Sequence, residues 1–448
     1  MTHIFPTQDD PLIAQNAELI GGPSGKYQRV SRSWWSPLRV IIVLTSMSYA
    51  FGIWLDSSCR NSNWISPQRY EHLCYTDIHP FYTLKGFAEG IFPYLGSATP
   101  DQMVDAPVLV GLFMHVAATI TKVLNGIWPQ ADAGVLYYDV TVMLLFIALL
   151  ITVIATLTTV KKRPWDAAMI ALAPMMILAA TISWDLLAIA CVSLAFLNYR
   201  KDKFLAAGIF LGLALASANY PIAIFIALII LAIRSHDWDD TIKISATAAA
   251  IWLVINLPFA VMHFDGWIVI YKKILTSGAE LGSIWYAVSQ IGGPSVNTTV
   301  LNVASLLLFT AAVIGVIAIT LQSPVPPRAA SVVFLVVAAF ALVAKGYSPQ
   351  FGLWLIPLAV LARPRWRDFL IWQACQVVYF VAVWWFLAGY NVEGAKGLTP
   401  QWYAIATVVH IAGTLYFAYR VIQDMYSRTH DDEVVASPDQ ELHQNAMS

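Results

Sequence analysis

Apolar runs of about 20 residues recur from residue 37 almost to the end of the chain, separated by short polar or Pro- and Gly-bearing breaks. Each run is long enough to cross the hydrocarbon core of a bilayer. Strict alternation of apolar and polar positions is missing, so helices rather than a barrel are expected to satisfy the backbone. The runs predict spans at 37–55, 136–160, 166–183, 184–199, 203–218, 220–233, 241–262, 299–321, 328–345, 349–362, 367–389 and 401–423. The fold class expected is therefore an all-α polytopic membrane protein with about twelve transmembrane helices.

Orientation follows from the basic residues, which stay on the cytoplasmic side. Lys26, Arg29, Arg32 and Arg39 precede the first span, which puts the N-terminus inside and the long polar segment after it outside. The stretch 106–128 is apolar enough to span. Counting it as a span, however, would throw Lys161-Lys162-Arg163 and every later basic turn to the outside. We read it as a helix lying in or dipping into the outer interface. Arg200-Lys201-Asp202-Lys203, Arg234, Arg328 and the cluster Arg363, Arg365, Arg367 then fall inside without adjustment. This gives a cytosolic flexible tail at 1–36, a membrane domain at 37–426 whose first extracytoplasmic loop covers 56–135, and a second cytosolic tail at 427–448. A cleavable signal is not apparent.

Composition agrees. Hydrophobic residues make up 58% of the 448 positions and charged residues 12%, with mean hydropathy +0.64; soluble domains carry about a quarter charged residues. Net charge is −1, which gives no general attraction to nucleic acid. Glycine patterns that cradle nucleotides and Cys/His spacings that hold zinc are both missing, so neither a cofactor nor a metal is expected.

Polar residues without a topological role collect in the outer loops. Asp77, in Cys74-Tyr75-Thr76-Asp77-Ile78-His79-Pro80, is a carboxylate among apolar neighbours, and desolvation there would raise its pKa toward that of a useful base; a helix cap is the plainer alternative. Asp185, in Ser183-Trp184-Asp185, is a second acidic candidate, or a helix cap. Lys345, in Ala344-Lys345-Gly346-Tyr347-Ser348-Pro349-Gln350-Phe351, could meet a phosphate as a point charge or snorkel to the interface. Trp285 and Tyr286 would suit stacking on a sugar, or belong to the interfacial aromatic belt. Cys59 and Cys74 share the first outer loop, an oxidising compartment in this topology, and are candidates for a disulfide.

In their order along the chain, several of these segments resemble GT-C membrane glycosyltransferases. More narrowly they resemble the actinobacterial polyprenyl-phosphate-mannose-dependent mannosyltransferases of glycosyltransferase family 87. The segments are Tyr75-Thr76-Asp77-Ile78, Trp184-Asp185-Leu186-Leu187-Ala188, Tyr220-Pro221, Asn256-Leu257-Pro258-Phe259, Gly282-Ser283-Ile284-Trp285 and Lys345-Gly346-Tyr347-Ser348-Pro349-Gln350-Phe351. The resemblance implies a GT-C bundle with membrane-surface helices in the first outer loop and Asp77 as the catalytic base. It implies inverting transfer of a sugar, with mannose favoured and arabinofuranose open, from a polyprenyl-phosphate donor to a glycan, glycolipid or protein hydroxyl. A Lys often precedes the Tyr-Pro turn in such sequences. Here Asn219 stands there, so the donor-phosphate expectation moves to Lys345, with Lys272, Lys273, Arg69 and His79 as further candidates. Trp285, Tyr286, Tyr347, Gln350 and Asn219 are the expected sugar or acceptor contacts. The competing reading is a polytopic secondary transporter or lipid-linked-sugar flippase, which would place ionisable residues at the bilayer midplane.

Overall fold

The computed structural model describes residues 35–95, 99–161, 163–389 and 397–427; apart from their inner edges the two expected tails lie outside these. All regular secondary structure among the described residues is helical. The first long helix, α1 (Pro37–Leu55), starts where Ser36 accepts a hydrogen bond from the Arg39 amide and Pro37 supplies a preset φ. After α1 come α2 (Ile78–Leu84) and α3 (Val108–Ile127), and then α4 (Ala133–Thr159), capped by Asp132 on the Val135 amide. The bundle continues with α5 (Pro174–Ala179), α6 (Asp185–Tyr199), α7 (Phe204–Leu215), α8 (Ile222–Ser235) and α9 (Asp239–Met262). Two loop helices, α10 (Phe264–Thr276) and α11 (Ile284–Gln290), precede α12 (Thr298–Gln322), α13 (Ala329–Val343), α14 (Phe351–Ala362), α15 (Trp366–Leu387) and α16 (Pro400–Ser427). Seven of these helices are long and apolar enough to cross a membrane, and five shorter apolar helices pack among them. The chain is a multi-pass, all-α membrane protein.

One expected span is not continuous. The run 166–183 folds as short pieces at 164–171 and 174–179. Ala173 is extended (ψ 122°) ahead of Pro174, as the proline ring requires of the residue before it. Beyond Ala179 the backbone is not helical until Asp185, so the carbonyls of Thr181 and Ile182 are free to accept bonds from elsewhere.

The two ends of the bundle differ in chemistry. At one end the Tyr138 hydroxyl meets Asp56, Asp77 pairs with Ile182, the Leu109 amide meets the Ala216 carbonyl, and Lys273 meets Asp105. At the other end Arg200 caps the Thr159 carbonyl, Arg234 bonds the Ser323 carbonyl, and Arg363 and Arg420 converge on Asp368. These are the segments predicted to share an outer side and an inner side. The α3 helix has span length, yet Leu109 at its start and Gly134, beside His79 just after its end, both sit at the first of these ends. It lies across that end rather than running through the bundle. Its inner face carries Val110, Met114, Ala117 and Thr121, while Val116, Val123 and Ile127 point outward.

The loop between α9 and α12 is threaded into the top of the bundle. Glu280 and Tyr347 donate their amides to the Lys345 and Leu281 carbonyls, both at 2.7 Å. Gly282 adopts φ +80°, and a Cβ there would lie 2.1 Å from the Tyr379 hydroxyl; only glycine fits. If the two ends face opposite compartments, single cysteines introduced as Glu280→Cys and Lys201→Cys, both at exposed positions, should react with an impermeant thiol reagent from opposite sides of sealed vesicles. Labelling of both from one side would overturn the arrangement.

Candidate active site

Asp77 is held by its backbone before its side chain does anything. Its amide donates to the Ile182 carbonyl at 2.8 Å, and the neighbouring Thr76 hydroxyl donates to the Thr181 carbonyl at 2.7 Å. Three residues upstream a disulfide joins Cys74 to Cys59, with 6.0 Å between the Cα atoms. Trp64 donates its indole N–H to the Cys74 carbonyl, stacks on His79 and packs at a tilt against Tyr138. The segment ahead of Asp77 is thus tied to a covalent link, a ring stack and two carbonyls.

Although Asp77 precedes α2, its side chain makes no capping bond. The carboxylate instead accepts from the Tyr75 hydroxyl at 2.6 Å. Burial pushes the Asp77 carboxyl up to about 6, against the pull of that hydroxyl; the charge of Asp185 raises it further and Lys273 lowers it. Part of its surface stays open. A carboxyl so placed is ionised at neutral pH, yet basic enough to take a proton.

Around Tyr75 lies an aromatic stack, with the Trp384 ring at 4.5 Å and the Tyr70 ring at 5.6 Å. The Arg69 guanidinium sits over Tyr70 and Tyr75, 4.8 and 5.5 Å from the ring centres, and bonds the Tyr70 hydroxyl. Its Nε is buried without a partner. Asp185 opens α6, accepting from Trp354 Nε1 at 2.6 Å and from the Ser183 hydroxyl. Trp354 in turn stacks on Phe351 and on Tyr220. Asp105 lies between two cations, 3.0 Å from Lys85 and 2.6 Å from Lys273. Despite burial, the two lysines hold its carboxyl below the usual range.

The expected site residues therefore part company. Asp185 and Lys273 lie within electrostatic reach of Asp77, and Arg69 sits over the Tyr75 ring whose hydroxyl bonds Asp77. Lys345 does not join them: its ammonium donates to the Ile274 carbonyl at 2.5 Å and the Ser277 carbonyl at 2.8 Å. It caps the last turn of α10, where carbonyls lack helical partners. Lys272 is exposed beside Asp265 at 3.8 Å. His79 is stacked on Trp64, and burial lowers its pKa, which disfavours the charged form that a phosphate contact would need. Tyr347 is 1% exposed, bonding Gln376 inside the bundle, and is a packing residue rather than a sugar contact. Tyr286 packs edge-on to Tyr403 and Phe386. Trp285 is half-buried. Gln350 keeps a buried, unpaired amide oxygen at the start of α14, and Asn219 precedes the Tyr220 ring under Trp354. No group of three or more His, Cys, Asp or Glu suited to a metal occurs among the described residues.

Sequence reasoning missed the roles of Tyr75, Trp354 and the Lys85–Asp105 pair. Tyr75 sat inside the Asp77 segment, but its hydroxyl acquires a function only when Trp384, some 300 residues away, fixes the ring.

No protein-family model matches the chain, and no curated protein matches it. Among solved structures it is similar to ArnT from Cupriavidus metallidurans bound to undecaprenyl phosphate, with a TM-score of 0.42 and 14% identity over 87% of this chain and 76% of that chain.

The Tyr75 bond yields a signed test. A hydrogen bond to the ionised form lowers a pKa, so Tyr75→Phe should raise that of Asp77 above about 6. If Asp77 must be ionised to act, the acidic limb of the pH–rate profile will move to higher pH while the plateau rate falls modestly. An unmoved limb would detach Tyr75 from the titrating group.

Proposed function

We propose that the protein is a GT-C-type glycosyltransferase that moves a sugar, mannose foremost, from a polyprenyl-phosphate donor to a hydroxyl of a glycan, glycolipid or protein outside the cytoplasm. The observation that carries the reading is Asp77: a partly open carboxylate at one end of a membrane bundle, desolvated enough to titrate near 6 and electrostatically coupled to Lys273. The isoprenoid tail would stay in the bilayer and present its phosphate at that end. The acceptor hydroxyl would pass its proton to Asp77 as its oxygen attacks the anomeric carbon. The bond from that carbon to the phosphate oxygen breaks, and the phosphate leaves with the electron pair. A single displacement inverts the anomeric centre.

Charge builds on the leaving phosphate in a partly dry site and needs a fixed cation. Lys273 and Arg69 fit that need better than Lys345, whose hydrogen bonds are committed to α10. Lys273 shares the electrostatic field of Asp77, and Arg69 keeps an unpaired donor beside Tyr75. Asp185, which is partly open and lies within the electrostatic reach of Asp77, would offer a second carboxylate to a sugar ring bound there.

Asp77→Asn removes the proton acceptor and keeps the shape, so turnover with a polyprenyl-phosphate sugar should fall by about 10²–10⁴-fold while donor binding persists. Near wild-type turnover in that variant would sink the assignment. Lys273→Ala should raise the donor KM and lower kcat, whereas Lys345→Ala should leave donor KM unchanged and lower thermal stability. The reverse pattern would return the phosphate to Lys345.

A further inference from the structure

Asp56 lies immediately beyond α1 and is 8% exposed. Nothing about that helix calls for it. An acidic side chain at a helix C-terminus opposes the macrodipole, and a buried carboxylate is costly unless it is hydrogen-bonded. Its compensation comes from two hydroxyls on other elements. Tyr138 of α4 donates to Oδ2 at 2.7 Å, and Thr181 donates to the same oxygen at 2.8 Å.

Thr181 belongs to the non-helical strap between α5 and α6. Its carbonyl accepts from the Thr76 hydroxyl, and the next carbonyl, Ile182, accepts from the Asp77 amide. The contacts form one line: end of α1, carboxylate, Thr181, strap carbonyls, Asp77. The path from Asp56 to Asp77 is thus an unbroken line of hydrogen bonds, and its influence is argued through geometry. Resting on the reading of Asp77 as the base, we infer that Asp56 is a positioning residue that sets the place of Asp77 by clamping Thr181.

Apart from the turn bond from the Ile182 amide to the Ala179 carbonyl, the strap is not held in a helix at 181–182, and the clamp on Thr181 sets where its carbonyls point. A displacement of about 1 Å at a reacting group costs on the order of 10²-fold in rate. Asparagine offers the same oxygen to both hydroxyls and alanine offers none. Thr181→Val is nearly isosteric and deletes the donor without touching Asp56.

The experiment compares Asp56→Asn, Asp56→Ala and Thr181→Val with the unaltered full-length protein in detergent or nanodiscs, using a polyprenyl-phosphate sugar and its acceptor. Expected are a kcat loss of about 10-fold or more in Asp56→Ala and Thr181→Val, with donor KM within about 2-fold, and rescue in Asp56→Asn to within about 3-fold. Thr181→Val keeps the test alive should Asp56→Ala fail to fold. Wild-type kcat in Thr181→Val, or an Asp56→Asn variant as slow as Asp56→Ala, would overturn the inference. Asp77→Asn in the same assay separates the two claims. An inactive Asp77→Asn beside a fully active Thr181→Val removes only the positioning role, whereas an active Asp77→Asn removes the base and the positioning role with it.

Discussion

The site depends on two carbonyls that no helix uses. In a bundle surrounded by lipid, backbone polar groups must find partners within the protein, and irregular backbone survives only where it is enclosed. Pro174 breaks the apolar run at 166–183, and the chain beyond Ala179 stays open until Asp185. The Thr181 and Ile182 carbonyls then accept from Thr76 and Asp77. Had the run formed one helix, those acceptors would have been turned along its axis and the loop after α1 would have lost its anchor. The broken span and the anchored loop are two sides of one arrangement.

The opposite end uses charge for a different purpose. Arg363 and Asp368 are 5% and 1% exposed and paired at 2.7 Å, with Arg420 on the same carboxylate and Asp424 on Arg363. Removing one member of such a group leaves a buried charge uncompensated, which costs far more than the intact pair contributes. This cluster staples α15 and α16 to the turn after α14. Its central carboxylate, Asp368, is closed off by its cations rather than left part-open like Asp77. The two ends thus separate structural ion pairing from a group able to titrate.

How much of this could be read along the chain follows from what each feature depends on. Span positions depend on local hydropathy and agree closely with the helices. The break at Ala173–Pro174 escaped notice because protein interior and lipid select the same apolar residues, so a broken and a straight segment look alike. The placement of α3 was legible only through the parity of the basic turns, a global constraint. Asp77 stood out as a carboxylate among apolar neighbours, while its partner Tyr75 did not, since that role needs Trp384 from α15. Lys345 illustrates the converse. Its position at a helix end was legible, but its targets depend on where α10 stops. Hydrogen bonds to two carbonyls are invisible without the packing of 274–277 against 345.

The phosphate role proposed for Lys273 is compatible with its engagement by Asp105. Asp105 has a second partner in Lys85 at 3.0 Å, so releasing Lys273 leaves no unpaired buried carboxylate. Lys345 has no such freedom: lifting it from α10 exposes two carbonyls at a helix end that then have only water or nothing. The cation that can move at low cost is the one suited to following charge as it shifts onto a leaving group. By the same reasoning Arg69, held by ring faces and one hydroxyl with Nε unpaired, is preorganised rather than mobile. A fixed guanidinium would orient the phosphate, and a mobile ammonium would follow the developing charge. In the proposed reaction the two would divide work that a single cation would have to perform at greater desolvation cost.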